Sequence, residues 1–222
     1  GAIQATGVLP DEAAFYTDLR VIDQPDLVAA QVDGYLDGRP DVRIHTRYEL
    51  RPCDPGVRMR TELISETVDP MSVLLADGHY MGNRELAPFT PGAGLGFAQP
   101  SFGLSTLGDA VIEAPYMVTA GHSEPAASYG QVSCSQEMIT GFRSTEVALD
   151  GNARRVLMPR DYEIFERVLL AAEGPGASRV IDLALETRRL LWGEEYVTIS
   201  GRLVSSEPNP GFGEGLRASL QV

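Results

Sequence analysis

The sequence contains no lysine. Its 18 basic side chains are all arginine, against 31 acidic side chains and a net charge of −13 at pH 7. Mechanisms that need a Schiff-base lysine or the lysine of a phosphate-binding loop are therefore excluded. Because a net-negative surface repels phosphate backbones and anionic lipids, we predict neither nucleic acid nor a membrane surface as a partner. No apolar run approaches the roughly 18 residues of a membrane-spanning helix, which predicts no membrane insertion.

Cysteine and histidine are also scarce, with two and three residues. Cys53 and Cys134 lie far apart and outside any CxxC motif, and the histidines show no HExxH spacing. The sequence therefore predicts no metal site and no cofactor. Two buried free thiols are the simpler interpretation of the cysteines, and a single disulfide in an exported protein is the alternative.

The length of 222 residues suits one large domain or two small ones. The chain begins without methionine or a basic-then-apolar leader, and its last residues alternate as in a strand. We interpret these ends as those of a processed chain or of a segment cut from a longer protein.

Alternation of apolar and charged residues dominates the pattern and predicts β-strands. Residues 41–51 and 57–63 alternate in this way around a Pro- and Gly-containing turn, as in a long hairpin. A tight turn at 55–56 would set like charges opposite each other. We therefore predict a longer loop, with Glu49 opposite Arg60 and Arg47 opposite Glu62.

Further strands are predicted along most of the chain, with one helix near 177–191 that ends before Gly193. Residues 137–149 and 154–158 are predicted to form a hairpin around 150–152, and residues 77–109 an extended loop. The glycines at 92–96 lack dinucleotide-fingerprint spacing and belong to that loop. The remaining predicted strands are 15–22, 26–36, 72–76, 111–120, 128–134, 162–172 (central in its sheet) and 197–204. The fold class is all-β: a large antiparallel β-sandwich, supersandwich-like, with one inserted helix.

Two polar clusters hold the candidate catalytic residues, should the chain be an enzyme. His79 and Glu85 lie in the cluster at 77–85, and His122 and Glu124 lie in a second cluster. A histidine beside a carboxylate can act as general acid or base, because its pKa lies near the operating pH. The alternative is that these are loop residues that bind their own backbone.

Candidate ligand-binding residues come from the first cluster and from an arginine stripe along the hairpin. The guanidinium fork suits carboxylate or sulfate groups, but neighbouring glutamates could instead neutralise the stripe on a solvated sheet face. The stripe comprises Arg43, Arg47, Arg51, Arg58 and Arg60, and the residues predicted to bind ligand are Asp77, Arg84, Arg47, Arg58 and Arg60.

The order of these elements resembles the galactose-mutarotase-like β-supersandwich region of large exported bacterial multidomain proteins. The residues that carry this resemblance are the hairpin at 42–63, residues 75–82, Ser128-Tyr129-Gly130, the strand ending at 167–174 and the helix from 177. In those proteins the region precedes carboxypeptidase-regulatory-like β-domains or a PHP-type metal-dependent hydrolase domain. Mutarotases use a histidine and a glutamate at the anomeric centre, and neither can be matched to a mutarotase motif here.

The resemblance implies a supersandwich domain at 1–195. Residues 196–222 are similar to the first strands of a regulatory-like β-domain, or else belong to the same sandwich.

The function predicted is a non-catalytic binding or structural module of an exported protein, at the periplasm, the cell surface or outside the cell. Its expected partners are neighbouring domains of a longer parent chain, and its expected ligand is a carbohydrate or an anionic group. Two alternatives stay open: a carbohydrate-active enzyme or epimerase with a His/carboxylate pair, and a self-assembling surface or fibre subunit.

Overall fold

A computed structural model describes residues 3–7, 14–73, 75–80, 86–91, 94–95, 112–121, 127–135, 138–144, 147–152, 155–174 and 177–197. Within these residues lie sixteen strands and one helix. The strands are β1 Ile3–Gly7, β2 Ala14–Gln24, β3 Leu27–Leu36, β4 Arg39–Leu50, β5 Val57–Ser65, β6 Met71–Val73, β7 Ala76–Tyr80, β8 Leu86–Thr90, β9 Gly94–Leu95, β10 Ile112–Ala114, β11 Tyr116–Gly121, β12 Ala127–Ser133, β13 Met138–Ser144, β14 Val147–Gly151, β15 Arg155–Leu157 and β16 Tyr162–Glu173; the helix is α1 Ser178–Trp192.

Nine strands form one large antiparallel sheet in the order β2-β3-β4-β5-β16-β12-β11-β8-β9. The strand predicted to be central, β16, occupies the middle of this order. It is buried along most of its length because both of its edges are paired and both faces are covered.

A five-stranded sheet in the order β1-β7-β14-β13-β10 and a two-stranded sheet of β6 and β15 complete the fold. Their apolar side chains pack with one face of the large sheet, which we call the inner face. This cluster is made of Leu36, Val42, Ile44, Leu63, Val73, Leu75, Met117, Met138, Leu157 and Phe165. The predicted all-β antiparallel sandwich with one helix is therefore confirmed.

The helix α1 packs on the opposite, outer face of the large sheet, against β11, β12 and β16. Its buried residues, Val180, Ala184, Thr187 and Arg188, recur at helical spacing. Gly193 caps the helix in the left-handed conformation (φ 66°), and its N–H donates to the carbonyl of Arg189. The predicted helix and its C-terminal glycine are confirmed. This is the only helix among the described residues, and it is not long and apolar enough to cross a membrane.

The hairpin register differs from the prediction. The longer loop is present, but the strands slide one pair further, so that Arg47 lies opposite Arg60 and Glu49 opposite Arg58. Like charges are tolerated here because each arginine is neutralised along its own strand. Arg47 Nε lies 2.5 Å from Glu49, and Arg60 Nη1 lies 3.0 Å from Glu62.

Three other predictions about the chain path are wrong. No hairpin forms around 150–152, because β14 continues through Gly151 between β13 and β7, and β15 instead pairs with β6. The predicted loop at 77–109 contains most of β7 and all of β8 and β9. The predicted strand at 111–120 is divided at Pro115 into β10 and β11, in different sheets.

The cysteines are both free, with Cys53 exposed and Cys134 half-buried. The expectation that both are buried is therefore wrong for Cys53. Its backbone adopts a positive φ of 69° in the turn between β4 and β5. The predicted strand at 197–204 and the segment 196–222 that the prediction divides from the sandwich lie almost wholly outside the described residues.

Candidate functional site

The arginine stripe lies on the outer face of the large sheet and is largely neutralised. Arg43 pairs with Glu66 at 3.0 Å, and Arg60 reaches both Glu62 and Glu166, at 3.0 and 3.3 Å. Surface pairs of this kind contribute at most about 1 kcal/mol each to stability. These ion pairs occupy most of the guanidinium groups of the stripe, which could otherwise bind an anion.

Two arginines at one end of the stripe are less fully engaged. The nearest carboxylate contact of Arg58 is Nη2 to Glu166 Oε2 at 3.7 Å, too long for a direct hydrogen bond. Among the described residues, no carboxylate pairs with the Arg51 side chain. The Arg51 backbone N–H, in contrast, donates to Asp54 Oδ2 at 3.0 Å.

These two arginines line a pocket between the C-terminal half of α1 and the β4–β5 turn. The pocket combines an apolar side with a charged rim, and its carboxylates are already engaged, Glu49 by Arg47 and Asp54 by the turn. The lining residues are Glu49, Arg51, Asp54, Pro55, Gly56, Arg58, Val168, Thr187, Leu190 and Leu191. An apolar surface beside guanidinium groups that make no close hydrogen bond to a carboxylate of the described residues suits a small ligand that carries both C–H surface and an anionic group.

Gly56 sets the shape of this pocket. A Cβ atom at this position would lie 2.2 Å from the carbonyl oxygen of Leu169, so only glycine lets β5 begin this close to β16. The pocket wall therefore depends on the residue that immediately precedes the second hairpin strand.

Asp77 lies far from this pocket, in the core between the sheets. It is fully buried and forms a bidentate ion pair with Arg167 of β16, with Nε–Oδ2 at 2.5 Å and Nη2–Oδ1 at 2.6 Å. Arg167 also donates to Thr61 Oγ1 and to the carbonyl oxygen of Phe165. Both carboxylate oxygens are occupied within the protein, so Asp77 joins the two sheets instead of facing a ligand.

Of the four candidate acid–base residues, the structure describes only one. His79 lies in β7, opposite Ile3 on one side and Ala148 on the other. Glu85, Arg84, His122 and Glu124 lie outside the described residues. Within the part of the chain that the structure describes, no three histidine, cysteine or carboxylate side chains are grouped so as to hold a metal ion.

Among the described residues one histidine–carboxylate pair is present, at a place that the sequence did not indicate. His45 Nδ1 and Asp33 Oδ1 are in close hydrogen-bond contact on the outer face, and Gln31 donates to the same carboxylate. The hydrogen bond from His45 is the main cause that lowers the pKa of Asp33 below its usual value. The pair lies on a flat, partly exposed sheet surface instead of in a cleft, so it is not a candidate for acid–base catalysis.

A network of hydrogen bonds lies at the C-terminal end of α1. Arg188 Nε donates to Glu194 Oε2 at 2.8 Å, and the Tyr196 hydroxyl donates to the same carboxylate oxygen. The hydrogen bond from Arg188 lowers the pKa of Glu194. Partial burial and that carboxylate raise the pKa of Tyr196 to about 12. The network holds the segment after α1 against the helix that forms one wall of the pocket.

Sequence reasoning missed Arg167 and the helical wall of the pocket. Arg167 interrupts an apolar strand at an inward position, between Phe165 and Leu169, and a charged side chain there is a signal of a buried partner. For Thr187, Leu190 and Leu191 no local signal exists, because their role depends on where α1 packs on the sheet.

Comparisons with known proteins bear on the fold alone. No protein-family model matches the sequence, and no curated protein matches it. Among solved structures, the chain is similar to the GH36 α-galactosidase AgaB from Geobacillus stearothermophilus, at 10% identity and a TM-score of 0.53, over 85% of this chain and 31% of that one. A variant of α-galactosidase AgaA from the same organism, in complex with stachyose, gives a TM-score of 0.52 at 10% identity with the same coverage. The chain thus spans less than a third of these galactosidases.

A galactose mutarotase-like protein from Lactobacillus casei ATCC 334 is also similar, at 7% identity over 70% of this chain and 73% of that one. The TM-score of that match is 0.39. The large antiparallel sandwich is therefore a fold that this chain shares with part of GH36 α-galactosidases.

Proposed function

We propose that this chain is a non-catalytic β-sandwich domain that binds an acidic carbohydrate in the pocket between α1 and the β4–β5 turn. The observation that carries the proposal is the pair Arg51 and Arg58, which lie beside an apolar wall and whose guanidinium groups have no carboxylate of the described residues within hydrogen-bond distance. A sugar carboxylate can take bidentate hydrogen bonds from a guanidinium group, and the C–H face of the ring can lie against Leu190 and Leu191.

The engagement of the pocket carboxylates supports a binding role over a catalytic one. Glycoside chemistry needs a carboxylic acid and a second carboxylate free to act on the bond. Glu49 is held by Arg47, and Asp54 is held by the turn. Arginine cannot replace either group, since it does not give up its proton at ordinary pH.

The setting in a larger protein is part of the proposal. A fold that makes up less than a third of the matched galactosidases is compatible with a domain that works beside others in one chain. We infer that neighbouring domains of a longer, exported bacterial protein are its partners. The resemblance of the sequence to such proteins supports this inference.

Titration of the purified chain by isothermal calorimetry tests the binding site. Galacturonate is the probe. Galactose, which has the sugar ring without the carboxylate, and acetate, which has the carboxylate without the ring, are the comparison ligands. We expect galacturonate to bind more tightly than either. In Arg58→Ala its Kd should rise about tenfold, since a hydrogen bond to a charged group contributes about 1.5–3 kcal/mol.

Arg43→Ala is the matched control, because Arg43 is a similarly exposed member of the stripe that lies away from the pocket. It should leave the Kd within about twofold. Equal effects of the two variants, or no binding of galacturonate, would contradict the proposed site. Hydrolysis of nitrophenyl glycosides that is lost in His79→Ala or Glu85→Ala would support the enzyme alternative instead.

A further inference from the structure

The strand β2 forms one edge of the large sheet and is strongly exposed. It pairs with β3 on one side, and in the described part of the chain no strand pairs with its other side. Most of its side chains are exposed, including Leu19 at 63% and Val21 at 68%. An open edge of this length presents backbone N–H and C=O groups that another strand can bind, although the Leu19 N–H donates to Asp18 Oδ1 at 3.0 Å in the single chain.

An apolar patch adjoins this edge on the inner face, beyond the region that the smaller sheets cover. It consists of Leu19, Val21, Val28 and Leu50, which the strand registers place on the same side of β2, β3 and β4. The last two are also exposed, at 51% and 43%. Asp23 lies on the same face, opposite Val28, at the end of this patch. An exposed apolar patch at a sheet edge is typical of an interaction surface.

The charges on β2 are self-complementary in one register. Asp18 and Arg20 project from the outer face on either side of Leu19. In the single chain they pair with each other along the strand, with Arg20 Nε 3.1 Å from Asp18 Oδ2, and both remain accessible to a second copy. If a second β2 pairs antiparallel about a two-fold axis at Leu19, each Arg20 lies opposite the Asp18 of the other copy. Leu19 then meets Leu19 on the inner face, and Val21 meets Thr17.

Neighbouring registers lack this match. A two-fold axis at Arg20 would set Arg20 opposite itself, and an axis at Val21 would set Leu19 opposite Asp23. The β2–β3 register is irregular between Tyr16 and Asp18, which ends the regular part of the strand near Thr17. The favoured ladder therefore covers residues 17–21 of each copy.

We propose that two copies of this chain associate through β2 about a two-fold axis at Leu19, joining their large sheets into one. The association stops at a dimer, because the open β2 edge of each copy pairs with that of the other and is no longer available to a third copy. It lies on a different part of the sheet from the carbohydrate pocket and does not depend on it. One short ladder buries less than the roughly 1,200 Å² of a stable interface, so we expect a reversible dimer of micromolar Kd.

Sedimentation equilibrium of the 222-residue chain from about 1 to about 300 µM measures this association. The copies repel at long range through their net charge of −13, so the buffer should hold about 0.15 M salt, at which the screening length is about 8 Å. We expect a monomer–dimer equilibrium. A chain that stays monomeric throughout, or that grows into open-ended assemblies, would overturn the proposal.

Charge reversal tests the register itself. Asp18→Arg and Arg20→Asp should each raise the dimer Kd at least about tenfold, because each sets like charges opposite each other at two symmetric positions. The double variant again sets opposite charges across the axis and should return the Kd to within about threefold of the original. Failure of the double variant to recover would refute this register.

A matched pair of apolar variants tests the location. Val21→Lys should raise the Kd about tenfold or more, since it introduces a charge on the inner side of the ladder. Val156→Lys, at a valine of similar exposure (58%) on β15, should leave it unchanged. Equal effects of the two substitutions would place the contact elsewhere. Far-UV circular dichroism confirms that each variant keeps its fold.

Discussion

Removal of one partner from the buried Asp77–Arg167 pair should destabilise the protein strongly. In Asp77→Ala, the guanidinium group of Arg167 stays fully buried and loses both charge-assisted hydrogen bonds. Its other acceptors, Thr61 and the Phe165 carbonyl, are uncharged. Breaking a buried pair in this way costs about 3–5 kcal/mol, and two hydrogen bonds to a charged group, at about 1.5–3 kcal/mol each, give a similar sum.

Equilibrium unfolding in guanidinium chloride, followed by far-UV circular dichroism, measures this loss. Asp41→Ala is the matched control, because the Asp41 carboxylate pairs with Arg39 at 3.1 Å on the partly exposed surface. Its removal should cost less than about 1 kcal/mol. In a thermal scan the Asp77 variant should unfold about 6–20 °C lower, at about 2–4 °C for each kcal/mol.

A double variant separates the buried charge from the lost contacts. Asp77→Leu with Arg167→Met removes both charges together, and apolar replacements of a buried pair are often neutral or stabilising. We therefore expect the double variant to be more stable than Asp77→Ala. A loss below about 1 kcal/mol in Asp77→Ala would refute the reasoning, as would a double variant that is less stable than the single one.

Two further predictions concern titratable groups. Because its partners lower the pKa of Asp33, the stability that this carboxylate contributes is present above its ordinary value of 3.8 and is lost as pH falls through the lower folded value. His45→Gln should therefore reduce the free energy of unfolding by up to about 1 kcal/mol above pH 3.8, and urea unfolding on either side of that pH should show the difference shrink as pH falls below it; a difference that grows over that interval would contradict it. Burial raises the pKa of the Cys134 thiol to about 11, whereas Cys53 is exposed. Mass spectrometry after brief iodoacetamide treatment should find Cys53 modified first and little modification in Cys53→Ser, and equal rates at the two thiols would contradict this.

Much of the fold could be predicted from local patterns. The alternation along β4, β5 and β16 reflects the two faces of a strand, and Gly193 follows the last turn of α1 because few other residues adopt a left-handed conformation there. The longer β4–β5 loop was also predicted correctly, although the charge argument did not hold in full, because the observed register sets Arg47 opposite Arg60. The predictions that were wrong concern which strand pairs with which, and in which register.

The candidate site was less predictable. Arg58 was predicted to bind ligand and does line the pocket, but the residues across from it belong to α1, far away in the sequence. Asp77 was chosen for its polar neighbours in the sequence, yet its partner is Arg167, 90 residues further on. Such contacts cannot be derived from spacing, because they depend on how separate sheets pack.

The sequence by itself determined the absence of lysine chemistry, the acidic net charge, the β class and the position of the helix, because composition and the periods of strand and helix are local properties. Tertiary structure alone decided three things: the hairpin register, the insertion of β14 between β7 and β13, and the burial of Asp77. In each case the alternatives satisfy the local pattern equally well. The alternatives differ only in which distant strand or charged residue becomes the neighbour. The packing of the sheets and the helix decides that choice.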